Sequence, residues 1–429
     1  MANEWSTMRN TESQVHVARA AWVCAVMLCA CSEAPVEKAA DSDASSAAKT
    51  VPEAAFDPDN CNSGKSVVID AGAFADGSAW CVIDGDLYIT HESPKTAITD
   101  DTLEQLRHIT TVKGSVYVSG TDAHALLGLR NLTSIGADLV IDDNDELQSL
   151  VGLEKLATIG HDLVVRGNIR LTDFAALKKL TTVTNGLLIE DNQSLQKIDG
   201  LKQISAVAHS VTIRSNTKLK HLNGLAALTD AGKVGVTIAK NNQLQHTVGL
   251  SKLESAGKLL LLQDNAQLAK LGTFANISKV DHVHIINNDQ LARIDGFNKL
   301  AEIKTAKFES NAAVDQFAGF AQLKSADEIR LVGHKSMQQM LGFANLTQAV
   351  SLELRNNHTL TELKFNKLHQ VVELTVRDNA ALSNYGGFLA LKYVKTLTLC
   401  GNPKLSESET TDFIKSLYSP PQKIVQVCK

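Results

Sequence analysis

One spacing governs what this chain can fold into. An asparagine returns at Asn144, Asn168, Asn192, Asn216, Asn241, Asn265, Asn288 and Asn311, and again at Asn357, Asn379 and Asn402, mostly 22 to 25 residues apart. His334 fills the same slot between Asn311 and Asn357, and two earlier copies carry Glu92 and Thr121 there, which makes fourteen turns. The segments LVIDDNDELQSLVGL (139–153), LLIEDNQSLQKIDGL (187–201) and VTIRSNTKLKHLNGL (211–225) show the frame L-x-I-x-x-N-x-x-L. Self-similarity at a fixed period marks a stack of equal units. In L-x-I the two aliphatics point one way and the middle residue the other, so each copy opens with a strand. One strand per turn in constant phase gives a parallel sheet. The asparagine stands where the chain must bend, and its amide both donates and accepts, so stacked copies form a ladder that satisfies backbone groups at the bend. Later aliphatics, Leu147, Leu150, Leu153, Leu156 and Ile159 in one turn, build the opposite wall. A single turn buries too little, and stacking closes the core. Thirteen steps of about 4.8 Å give a sheet roughly 60 Å long.

Composition fits thin repeated layers, with 44% apolar but only 5% aromatic residues. The net charge of −5 is local: residues 32–60 hold seven acids against two lysines, and residues 61–429 hold 38 charges of each sign. A neutral body offers nucleic acid no basic face. No P-loop, HExxH, G-x-S-x-G or nucleophile constellation is present, so neither an enzyme nor a cofactor is expected. His282 and His284 alternate on one strand face without an acidic or cysteine neighbour, which makes no metal site. Asn131-Leu132-Thr133, Asn276-Ile277-Ser278 and Asn345-Leu346-Thr347 read as accidents of an Asn- and Thr-rich repeat rather than glycosylation sites.

Residues 1–30 read as an export signal. Arg9 and Arg19 precede the apolar run Ala20 to Ala30, which is too short to span a bilayer; Met1 or Met8 is the start. Leu28-Cys29-Ala30-Cys31 resembles the lipobox of bacterial lipoproteins, although Cys29 departs from the usual Ala or Ser. The resemblance implies that Cys31 is lipidated; the alternative is ordinary cleavage with Cys31 unmodified. By similarity to enterobacterial sorting, Ser32 directs such a protein to the outer membrane. Residues 31–60 lack apolar periodicity and read as an acidic disordered tether. A cap over 61–86, repeats over 87–405 and a second cap over 406–429 follow.

Cys24 and Cys29 leave with the signal, and Cys61, Cys81, Cys400 and Cys428 remain as two pairs at the two ends of the body. No CxxC occurs, and two terminal disulfides fit an oxidising compartment. Of the three pairings, distance along a rod excludes the two that join opposite ends.

The repeats resemble leucine-rich repeats, most closely the receptor L domain of the insulin and epidermal growth factor receptors, over about 61–405. Cys81-Val82-Ile83-Asp84-Gly85-Asp86-Leu87-Tyr88-Ile89 is similar to that domain's opening. Similar repeats occur in fungal cell-wall proteins and bacterial surface lipoproteins. The resemblance implies an α/β repeat solenoid: a single curved rod with a long parallel sheet and disulfide-capped ends. L domains have far fewer turns, and this sequence shows no Cys-rich module, membrane span or kinase, so no hormone-binding residue carries over. Ser406 to Leu417 reads as a short capping helix ended by Pro420-Pro421.

The middle strand residues point outward. Tyr88, Tyr117, Val140, Val164 and Leu188 form an apolar stripe about 20 Å long by strand spacing. His284, Lys307, Arg330 and Glu353 follow further on, and Asp142, Arg166, Glu190 and Arg214 alternate in sign in the next column. The stripe is the candidate binding site for an unknown protein or polysaccharide, which makes the chain a non-enzymatic envelope recognition or adhesion protein anchored to the membrane by lipid. The alternatives are a spacer without a ligand, or a tether that folds back over the stripe.

Overall fold

In a computed structural model, residues 62–64, 67–69, 80–90, 97–418 and 420–426 are described. The expected signal, Cys31, the tether, Glu92, Cys61 and Cys428 lie outside the described residues. Phe56–Lys429 forms one compact unit.

Each copy of L-x-I is a strand, and consecutive copies pair in parallel. The sheet has sixteen strands: β1 (Val67–Ile69), β2 (Leu87–Thr90), β3 (Val116–Ser119), β4 (Leu139–Asp142), β5 (Asp162–Arg166), β6 (Gly186–Glu190), β7 (Ser210–Arg214), β8 (Gly235–Ala239), β9 (Leu259–Gln263), β10 (His282–Ile286), β11 (Glu302–Glu309), β12 (Ser325–Val332), β13 (Gln348–Arg355), β14 (Gln370–Arg377), β15 (Tyr393–Cys400) and β16 (Lys423–Val425). The fourteen expected strands are β2 to β15. Both caps add one more, β1 beside β2 and β16 beside β15, so each covers an open sheet edge. Among the described residues, Cys81 and Cys400 are each disulfide-bonded.

The ladder runs through the bend after the strands. Each asparagine Oδ1 accepts the backbone N–H of the preceding ladder residue, as from Asn144 to Asn168 at 3.2 Å and from Asn192 to Asn216 at 3.1 Å. Each Nδ2 donates to a carbonyl of the strand before, as Asn216 does to Ile189 at 2.9 Å. Thr121 opens the ladder: its N–H and hydroxyl both donate to Asn144 Oδ1. Just before the ladder slot the chain turns left-handed. Asp143, Asp191, Ser215, Lys240, Asp264, Asn287, Ser310, Asn356 and Asp378 all have φ between 53° and 57°, and Gly120, Gly167, Gly333 and Gly401 share the region. Short polar residues and glycine tolerate it best, and Lys240 is the exception.

The α/β expectation is corrected. Among the described residues only Asp100–Leu103 (α1) and Glu407–Lys415 (α2) are α-helical. The back wall of the first half is made of 3-10 turns, such as Ala175–Lys179, Asp199–Leu201, Asn223–Leu225 and Val248–Leu250. Successive back turns approach more closely than the roughly 8–10 Å between packed helix axes. Glycines make that approach possible: a Cβ on Gly200 would lie 1.8 Å from the Phe174 carbonyl oxygen, and one on Gly224 1.9 Å from that of Ile198.

The rod changes construction near Phe274. Leu177, Leu201, Leu225 and Leu250 give way, in the same column, to Phe274, Phe297, Phe320, Phe343, Phe365 and Phe388, all buried. Their rings stack at centroid separations of 4.9 to 6.2 Å. Ile159 to Asn168 spans one residue more than Ile303 to Asn311. The shorter spacing fuses the corner into the strand, so β11 to β15 have eight residues each where β5 to β9 have five. At the far end, α2 begins with a capping box in which Ser406 and Glu409 bond reciprocally. It packs Phe413 on Phe388 and Tyr385.

Candidate binding face

Strand register places the outward residues in one column, Tyr88 beside Tyr117, then Val140, Val164, Leu188 and Thr212. The column continues through Leu261, His284, Lys307, Arg330 and Glu353 to Thr398. The tyrosine rings stack at 4.9 Å and 4°, and the Tyr88 hydroxyl donates to Asp86 at 2.9 Å. Burial pushes the Tyr117 hydroxyl pKa up.

The stripe is contiguous but not open, which corrects its expected exposure. Val140, Val164 and Leu188 are 7%, 3% and 5% exposed and form a small cluster with Tyr117. In-register packing closes each side chain above and below, and side chains two residues away on the same strand flank it. Tyr88 and Tyr117 at its head are half-buried.

The next column is ionic. Arg166 holds Asp142 with two nitrogens, and Arg214 pairs with Glu190. Burial pushes the Glu190 carboxyl up against the pull of Arg214. Towards the other end, Lys307 meets Glu328 at 3.0 Å, and Arg330 reaches Glu309 at 2.8 Å and Glu353 at 3.1 Å. His282 Nδ1 and His284 Nε2 both face the Thr305 hydroxyl, at 2.8 and 2.7 Å. Burial and Lys307 push the His284 pKa down.

One group escaped the sequence reading, which expected no metal site. Asp138, His161 and Asp162 come together on neighbouring turns, with one ligand atom from each all within 4.8 Å of one another. Writing the copies in register from one residue ahead of L-x-I would have exposed it, because Asp138 and Asp162 then fall in one column.

The comparisons concern the repeat. Residues 81–172 match the Receptor L domain family model. Over those residues, the first turns of the solenoid, the chain is similar to receptor L domains. A leucine-rich-repeat protein of Leptospira interrogans aligns at 13% identity and TM-score 0.23, over 79% of this chain and 88% of its own. One from Bacteroides ovatus aligns at 12% identity and TM-score 0.19, over 75% and 85%. No curated protein matches the chain. Among the described residues no helix is long and apolar enough to cross a membrane.

Proposed function

We propose that the chain is an exported, lipid-anchored envelope protein, non-enzymatic, that recognises a protein or polysaccharide through the N-terminal third of its outward sheet face. One observation carries this reading. Tyr88 and Tyr117 stack in register at the head of the stripe, part-exposed, while the ionic columns elsewhere on the face are paired among themselves. Tyrosine brings large contact area and a hydroxyl at small entropy cost, and it concentrates at interface centres. Ions already paired with one another supply little binding energy by comparison. Lipidation at Cys31, outer-membrane sorting and the pairings Cys61–Cys81 and Cys400–Cys428 belong to the same reading: an anchored rod closed at both ends.

The test is pull-down from solubilised envelope, with separate protein and polysaccharide fractions, by the parent, by Tyr88→Ser with Tyr117→Ser, and by Thr375→Ala with Thr398→Ala. The tyrosine variant loses the retained component and the threonine variant keeps it. Equal retention by all three overturns the placement of the site, and no retention by the parent favours a ligand-free spacer.

A further inference from the structure

We propose that Asp138, His161 and Asp162 bind a divalent transition-metal ion of the zinc type. His161 Nδ1 lies 2.7 Å from Asp138 Oδ1 and 3.2 Å from Asp162 Oδ2. Zinc bonds of about 2.0–2.2 Å in a tetrahedral array hold neighbouring ligand atoms about 3.3–3.6 Å apart. The 3.2 Å separation approaches that range, and the 2.7 Å one, a hydrogen bond without the ion, opens by about half an ångström to admit it.

Charge gives an independent argument. Leu163 is registered on Leu139, so Asp162 at the start of β5 neighbours Asp138, the residue just before β4, and like charges at such positions repel. Asp162 is deeply buried, its side chain 6% exposed. Among the described residues no lysine or arginine pairs with either carboxylate. Elsewhere on this face basic side chains do that: Arg166 takes Asp142, Arg214 takes Glu190, and in the column of His161 itself Lys304 takes Asp281 at 2.7 Å. Here the side chain between the acids is a weakly basic imidazole, itself a metal ligand.

The surroundings orient the donors. Asn185 Nδ2 donates to Asp162 Oδ1 at 2.8 Å, leaving Oδ2 toward the imidazole, and the Asp162 N–H donates to Asp138 Oδ1 at 3.0 Å. Such outer contacts fix ligand direction. The His161 side chain is 55% exposed, so water has access to the remaining coordination positions. One imidazole with two carboxylates suits zinc and its neighbours, whereas calcium wants six or more oxygens. His161 occupies the two-residue corner Gly160-His161, a corner that the early turns share and that shortens from Asp281 onward.

The experiment is calorimetric titration of the full chain, stripped of metal, with zinc chloride. The parent binds one equivalent, and His161→Ala and Asp162→Asn each weaken that binding by about 10–100-fold. His124→Ala, at a histidine that faces a single carboxylate, Asp100, leaves it unchanged. Circular dichroism of each variant matches the parent, because His161 is on the surface and asparagine keeps the size of Asp162. No saturable zinc binding by the parent, or parent-like binding by both site variants, overturns the proposal. Equal competition by calcium overturns the zinc-type assignment.

Discussion

Asn216 shows what a ladder position does. Its Oδ1 accepts from the Asn192 N–H and Nδ2, its Nδ2 donates to Ile189 and Arg214, and its own N–H donates to Asn241 Oδ1. Truncation strands groups on two turns. Asn216→Ala therefore costs about 1–3 kcal/mol, the range for unsatisfied buried partners. Asn402 is 9% exposed at the last turn, and Asn402→Ala costs less; denaturation midpoints of the two variants check the order. His334 keeps part of the pattern. Its Nε2 faces the Phe308 carbonyl at 3.1 Å, where asparagines place Nδ2, and its N–H donates to Asn357 Oδ1. It has no Oδ1 to accept the Asn311 N–H. It is fully buried, and desolvation lowers its pKa below 6.5. Above that value the ring is neutral in both folded and unfolded chains. Below it the unfolded chain takes up the proton first, so stability falls with pH until the folded pKa is passed. His334→Asn removes this step, and midpoints at pH 7.5 and pH 5 converge more closely in the variant than in the parent.

At the scale of the element, the back turns are set by backbone contact. The glycine ahead of the third back-wall aliphatic, as in Val151-Gly152-Leu153 or Asn223-Gly224-Leu225, is legible in the sequence, but its reason is spatial. Gly200 has no room for a methyl group against the Phe174 carbonyl, while a Cβ on Gly386 would meet only the Asn384 side chain. Gly200→Ala therefore costs about 2–3 kcal/mol, an overpacking penalty, and Gly386→Ala much less. Melting temperatures of the pair test this. The same crowding accompanies the 3-10 turns of the back wall, where the α/β expectation implied more helix. The left-handed residue before each asparagine was visible only as a run of Asp, Ser, Asn and Gly, and Lys240 concealed the rule.

For the whole solenoid, each turn touches chiefly its neighbours, so stability is a sum of local terms and their couplings. The two constructions on either side of Phe274 should respond separately. Phe320 lies between Phe297 and Phe343, at 4.9 Å from each. Phe320→Ala costs about 3–5 kcal/mol by leaving a cavity in that column. Hydrogen exchange should show lost protection over roughly 290–350, with β4 to β7 unchanged. Uniform loss along the rod would show a single cooperative unit instead.

The sequence by itself determined the repeat, the parallel sheet, its phase and the ladder, because a strict period in apolar and amide positions leaves a stacked chain few other ways to satisfy both. Which outward residues share a column also followed from that phase. The tertiary structure decided what depends on distance between turns. It closed Val140, Val164 and Leu188 to solvent, since packing in register shields side chains that alternation alone marks as outward. It made the back wall of 3-10 turns, which meet backbone to backbone at Gly200 and Gly224. It brought Asp138, His161 and Asp162 within ligand distance, since residues 23 and 24 positions apart become neighbours only when successive turns lock at one register.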